Sequence, residues 1–229
     1  MSKKLLLVGG NGQLGKVIAN TFINCKENNW KVISLDLTEN KDVDYNIIVD
    51  NNKLKNDDFT NHIYSELNKY LHNSKFNSII SVAGGWEGVK LNEKNFISSL
   101  ISMNNMNFYS AALSANLASL YLEQNSLLSF TSASAVKNKV DCTGMLTYQL
   151  SKQSVQNLTD TLTEYKDILL PKGTKLLTIC PGVIDTPINR KYMGDQDASK
   201  WVKMETIADY YIKWSNNINL APKETYYLL

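Results

Sequence analysis

KKLLLVGGNGQLGKVIANTFINCKENNWKVISLDL, Lys3 to Leu37, is the stretch on which the fold turns. Its apolar opening, Leu5 to Val8, is too short for a signal-peptide core and runs straight into glycines, so it reads as a first strand. GNGQLG, Gly10 to Gly15, fits G-x-G-x-x-G, and Gly9, Gly12 and Gly15 also fit a G-x-x-G-x-x-G spacing. Glycines at this place permit a tight turn and let a pyrophosphate approach the backbone at a helix N-terminus, here the segment entered through Gln13 and Leu14. Val17, Ile18, Phe22 and Ile23 follow at helical spacing. WKVISLDL is a second strand ending at Asp36, 21 residues beyond Gly15. A carboxylate there accepts hydrogen bonds from an adenosine ribose diol and repels a 2′-phosphate, which favours NADH over NADPH.

The same alternation continues outward. DYNIIVD reads as a third strand, residues 57–73 as a helix with Phe59, Ile63, Leu67, Tyr70 and Leu71 on one side, and FNSIISVAGG as a fourth strand. Residues 92–122 make a long helical stretch, SLLSFTSAS a fifth strand, residues 144–169 a long helix and TKLLTICPG a sixth strand with a Pro-Gly stop. A helix over 203–216 and a terminal strand in ETYYLL close the series. Runs such as KLLLV and NSIISVA are apolar without alternation, as strands buried on both faces of a parallel sheet are. The expected fold is a single α/β domain spanning 1–229, a Rossmann-type doubly wound parallel sheet with helices on both faces. The many asparagines scattered through loops and helices read as compositional drift.

Composition narrows the function. The 229 residues carry 24 Lys and Arg against 22 Asp and Glu, a net charge of +2, and Arg190 is the one arginine. Nothing in that balance suits a nucleic-acid groove. Three cysteines without a CxxC pair and two histidines make a poor metal inventory, so no metal is expected, and reduced thiols suit a cytoplasmic protein. No apolar stretch is long enough to span a membrane.

TYQLSK places Tyr148 and Lys152 one helical turn apart on one face. A nearby ammonium favours phenolate, so the pair is expected to hold a tyrosine whose pKa is lowered toward neutrality. With the glycine turn and the strand order, this pair makes the chain resemble the short-chain dehydrogenase/reductase family over nearly its whole length. The resemblance implies that Tyr148 exchanges the proton during hydride transfer and that Lys152 binds the nicotinamide ribose. It implies a water-holding role for Asn107, 41 residues before the tyrosine. It also implies cofactor contacts from Ala83, Gly84 and Gly85 beside the adenosine and from Pro181, Gly182, Val183 and Thr186 near the carboxamide. That family usually has a serine on the fifth strand. Here FTSASAV offers Ser132 and Ser134, and a short insertion puts Ala133 at the position instead. A missing serine suits a substrate that needs little carbonyl polarisation.

Within the family, NWKVISLDLTEN, SVAGGWEG, GMLTYQLSK and DTPINRKYM resemble the quinonoid dihydropteridine reductase branch. The implied reaction is NADH-dependent reduction of a flat dihydropterin to tetrahydropterin. Trp86 then either walls the pterin slot or packs its own glycine loop, and Asn189 and Arg190 either line the slot or belong to a polar surface loop. The resemblance also implies a homodimer packed through the helices 92–122 and 144–169. Two other readings stay open: a family member acting on another carbonyl or sugar, and a non-catalytic dinucleotide sensor on the same fold.

Overall fold

The computed structural model describes residues 2–50 and 57–229. Seven parallel strands form one sheet: β1 (Lys3–Val8), β2 (Trp30–Asp36), β3 (Tyr45–Ile48), β4 (Phe76–Ser81), β5 (Leu122–Thr131), β6 (Lys175–Cys180) and β9 (Tyr226–Leu228). Their order is β3-β2-β1-β4-β5-β6-β9, and every neighbouring pair is parallel. The connection direction reverses between β1 and β4, so the doubly wound fold opens its ligand crevice where those two strands end.

The apolar runs are buried on both faces, as the lack of alternation implied. Leu6, Val8, Ile33, Leu35, Ile79, Leu128 and Phe130 face one core, shared with helix α2 (Asp57–Leu71), helix α4 (Ser110–Tyr121) and helix α6 (Leu146–Glu164). Leu5, Leu7, Val32, Ile80, Leu127, Leu177 and Ile179 face the other, shared with helix α1 (Gln13–Ile23) and helix α9 (Met204–Asn216). Successive residues of β1 therefore serve opposite cores, which the period of two dictates.

Three elements differ from the sequence reading. The helical stretch expected over 92–122 starts at α3 (Phe96–Met103), passes through a π-helical segment (Asn104–Tyr109) and resumes as α4. The helix expected over 144–169 is a 3₁₀ turn (Thr143–Met145), then α6, then the short α7 (Lys166–Leu169). β5 stops at Thr131 instead of continuing to Ser134. The Ser134 N–H still reaches the Pro181 carbonyl beyond β6, 2.9 Å away, but a short helix α5 (Ser134–Lys137) begins there. Unforeseen from the sequence are helix α8 (Pro187–Tyr192) and a two-residue parallel pair, β7 (Ile184–Asp185) with β8 (Val202–Lys203), which pins the chain leaving β6.

Candidate functional site

All the expected site residues lie at or beyond the carboxyl edge of the sheet or on the helices rising from it. At the end of β1, Gly9 has φ +86°, a conformation that favours glycine. A Cβ there would sit 2.5 Å from the Ala83 backbone nitrogen, so the turn lies directly against the loop after β4. Gly12 is the N-cap of α1 and offers no side-chain cap, leaving the amino end of an 11-residue helix open. Gln13 is exposed beside it, whereas the Leu14 side chain and Gly15 are buried beneath the turn, so Leu14 can meet a ligand only through its backbone. Asp36 closes β2, with its carboxylate accepting the Asn11 N–H at 2.8 Å and the Leu37 N–H at 2.6 Å. An uncapped helix N-terminus under a glycine turn, with a carboxylate at the next strand end, fits a dinucleotide.

The loop after β4 is held from below. The Asn107 carbonyl oxygen accepts the Gly85 N–H, and its amide donates to the Gly85 carbonyl, both at 3.1 Å. The same amide donates to Ser151 Oγ at 3.0 Å. Asn107 is buried on the π-helical segment, so the extra residue of that turn aims its side chain into the loop. Gly84 makes room for this arrangement, since a Cβ there would lie 2.6 Å from Asn107 Oδ1 and 3.2 Å from Lys152 Nζ.

Tyr148 and Lys152 stand on α6 as expected. Lys152 is buried, and its Nζ donates to the Thr131 carbonyl at 3.0 Å, 6.0 Å from the centre of the Tyr148 ring. Burial lowers the ammonium to about 8, opposed by the Cys180 sulfur. The tyrosine does not behave as expected. Burial pushes its phenol up to about 12, and Cys142 and Cys180 add to the rise. The ammonium faces a backbone carbonyl rather than the hydroxyl, so desolvation dominates and Tyr148 holds its proton at neutral pH.

Of the three residues at the family's serine position, Ser132 is buried and engaged. It donates to the Lys152 carbonyl at 3.3 Å and accepts from Gln156 Nε2 at 3.0 Å. Ser134 starts α5, and Ala133 is its N-cap.

Trp86 is 62% exposed, with its indole N–H directed to Met145 Sδ at 3.3 Å. Its six-membered ring covers Gly88, where a Cβ would come within 2.8 Å of Cη2. The tryptophan thus packs its own loop and still presents a broad surface, anchored on Met145, three residues before Tyr148.

In the segment after β6, the Gly182 N–H donates to the Leu229 carbonyl at 2.7 Å, and the Val183 carbonyl accepts the Val202 N–H at 2.8 Å. Pro181 is buried beside them. Thr186 caps α8 by accepting the Asn189 N–H at 3.2 Å. Asn189 donates its amide to the Ile184 carbonyl at 2.8 Å, and Arg190 grips Asp185 through two bonds of 2.5 and 2.7 Å. Both side chains are therefore engaged in shaping the loop.

The sequence reading missed Asn11, Asn40 and Asn46, which brace the glycine turn and the connection beside it through their amides, and no local motif announced them. Asn107, named from the resemblance, holds the β4 loop instead of being free for a water alone. Among the described residues, no group of three His, Cys, Asp or Glu side chains could hold a metal ion, and no helix is long and apolar enough to cross a membrane.

No family model matches the chain. The chain is 33% identical over 223 residues to a dihydropteridine reductase of Dictyostelium discoideum, covering 97% of this chain and 91% of that protein. Among solved structures, a dehydrogenase/reductase from Sinorhizobium meliloti matches with TM-score 0.77 at 14% identity, covering 100% of this chain and 94% of that one. A 4-hydroxyisoleucine dehydrogenase complexed with NADH matches with TM-score 0.75 at 15% identity, covering 100% and 96%. These two structures bear on the fold alone. The chain shares its fold with these dehydrogenases and belongs to the dihydropteridine reductase family, a family of oxidoreductases.

Proposed function

We propose that this protein reduces a quinonoid dihydropterin to the tetrahydropterin with NADH, so recycling the reduced pterin. One observation carries the reading: an exposed indole is anchored on Met145, three residues before a half-buried Tyr148 that keeps its proton, at the edge of the sheet where the glycine turn opens. The named activity of the Dictyostelium relative supports it. When bound, NADH supplies the hydride. Gly9, Gly12 and Gly15 admit its pyrophosphate to the amino end of α1, and Asp36 favours a ribose diol over a 2′-phosphate. Ala83, Gly84 and Gly85 flank the adenosine half, and Pro181, Gly182, Val183 and Thr186 flank the carboxamide. The Lys152 ammonium binds the nicotinamide ribose, and the Tyr148 phenol delivers the proton that accompanies the hydride. Trp86 stacks on the pterin, with Asn189 and Arg190 shaping the loop opposite. With Ser132 engaged by Lys152 and Gln156 and Ser134 opening α5, we assign Ala133 to the usual serine position, which suits a substrate already electrophilic enough to need no extra carbonyl polarisation.

Steady-state turnover of NADH with freshly generated quinonoid dihydropterin tests this. The expected result is turnover faster with NADH than with NADPH, and a Trp86→Ala variant with pterin KM raised roughly five- to tenfold, in line with a lost aromatic contact. Turnover on other carbonyls alone would refute the substrate assignment. The three free cysteines suit a reducing cytoplasm. We assign the exposed apolar face of α3 and α4 to a second copy of the chain.

A further inference from the structure

One buried, doubly hydrogen-bonded polar side chain near the glycine turn is not used by the mechanism above. Asn40 is 1% exposed, in the connection between β2 and β3. Its amide donates to the Gly10 carbonyl at 2.8 Å, and its Oδ1 accepts the Asp42 N–H at 3.0 Å. Its backbone is gripped in turn by Asn46 on β3. The Asn40 N–H donates to Asn46 Oδ1, and the Asn40 carbonyl accepts from Asn46 Nδ2, both at 2.9 Å. Asn46 therefore pairs with Asn40 as a neighbouring strand would, and so aims the Asn40 amide.

The acceptor and its partner group matter. The Gly10 carbonyl and the Asn11 N–H belong to one peptide unit. Asn40 holds the carbonyl end, and Asp36 Oδ2 holds the N–H end at 2.8 Å. A planar peptide has one soft motion, rotation of the plane about the line joining its two Cα atoms. Bonds at both ends stop that rotation. The plane otherwise turns at low cost because glycine flanks it. A second clamp, from Asn11 Nδ2 to Thr38 Oγ1 at 2.6 Å, holds the next side chain. The next residue is Gly12, the open cap of α1.

We propose that Asn40, aimed by Asn46, is a positioning residue for the dinucleotide: by locking the Gly10–Asn11 peptide plane it presets the turn that receives the pyrophosphate. This rests on the NADH reading above. It assigns Asp36 a second task, as the other jaw of the clamp. Preorganisation acts on binding, so its loss weakens NADH without slowing the chemical step once the site is filled.

The test compares wild type with Asn40→Ala, Asn40→Asp and Asn46→Ala, measuring NADH dissociation constants by titration, KM and kcat with the pterin, and thermal midpoints. Asn40→Asp keeps the size and the acceptor for Asp42 but sets a carboxylate against the Gly10 carbonyl. The expected result is NADH binding about tenfold weaker in the alanine variants, the order expected for a buried carbonyl left unpaired. Asn40→Asp is expected to be weaker still. kcat at saturating NADH and pterin KM stay within twofold of wild type. Lowered thermal midpoints with unchanged NADH affinity would mean a purely structural role and overturn the proposal. If Asn40→Ala does not fold, Asn46→Ala reads the same clamp with the Asn40 amide still present, and failure of all three to fold, unrelieved by NADH, also overturns it. Wild-type protein that binds no NADH refutes the cofactor reading itself, a result distinct from variants that bind as well as wild type.

Discussion

Tyr148 and Lys152 show how one helical turn supports two opposite perturbations. Burial raises the phenol to about 12 and lowers the ammonium to about 8. A phenol that stays protonated across the physiological range is a proton donor in waiting, which matches the reductive direction. Removing its hydroxyl with Tyr148→Phe is expected to lower kcat by at least 100-fold while NADH binding stays near wild type, since general acid catalysis contributes about 10²–10⁴. Stopped-flow single turnovers and NADH titration separate the two quantities. The lysine sets the alkaline limb. Its charge is present below about 8 and is lost as pH rises through that value, so kcat/KM for NADH falls above about pH 8. Because kcat/KM reports groups of the free enzyme, a pH profile checks this directly. A Lys152→Met variant flattens that limb, and a limb unchanged in that variant assigns it to another group. The expected direction for the tyrosine was the reverse of the one found. Sequence spacing places two side chains on one face, but the direction of the ammonium and the depth of burial depend on where β5 and β6 run beneath them.

At the scale of elements, the loop 82–89 depends on a helix that is irregular where it meets the loop. The π-helical segment turns Asn107 inward, and its amide and carbonyl match the Gly85 backbone as a strand partner would. Asn107→Ala leaves the Gly85 N–H and carbonyl without that partner, in a partly buried setting. The expected cost is roughly 1–3 kcal/mol of stability, together with a raised pterin KM as Trp86 loses its fixed base. Urea denaturation and steady-state kinetics measure both, and a variant that keeps pterin KM would detach the loop from substrate binding. Strands and helices themselves were legible, because apolar runs of four to six residues alternate with helical periodicity. The π segment was not, since its residues keep helical spacing. Nor was the end of β5, because the Thr-Ser-Ala-Ser run carries no turn signal. The Ser132 and Ser134 N–H groups still reach the Ile179 and Pro181 carbonyls beside β6, at 2.8 and 2.9 Å, so the backbone bonds run on where the chain turns into α5.

Across the whole molecule, the parallel order β3-β2-β1-β4-β5-β6-β9 brings the ends of β1, β2, β4 and β6, far apart in sequence, to one edge. The glycine turn, Asp36 and the Tyr148–Lys152 pair were recognisable because each is a short local pattern. The Asn40–Asn46 clamp was not, because it exists only after β1, β2 and β3 align, and single asparagines have no pattern of their own. A second property at this scale follows from what the fold leaves uncovered. Ile97 and Ile101 on α3 are 64% and 54% exposed, one turn apart, and Tyr109 and Leu120 continue the apolar face toward the end of α4. Large aliphatic side chains on one helical face, beside a site that works in water, are stabilised when a second copy covers them. The expected solution species is a dimer of the 25.8 kDa chain. Ile101→Lys places a charge in the middle of that contact, where desolvation without a partner opposes association. Light scattering after size exclusion is expected to give twice the chain mass for wild type and the single-chain mass for the variant, with an unchanged circular dichroism spectrum. A wild type that elutes as a monomer, or a variant that stays dimeric, removes α3 and α4 as the interface.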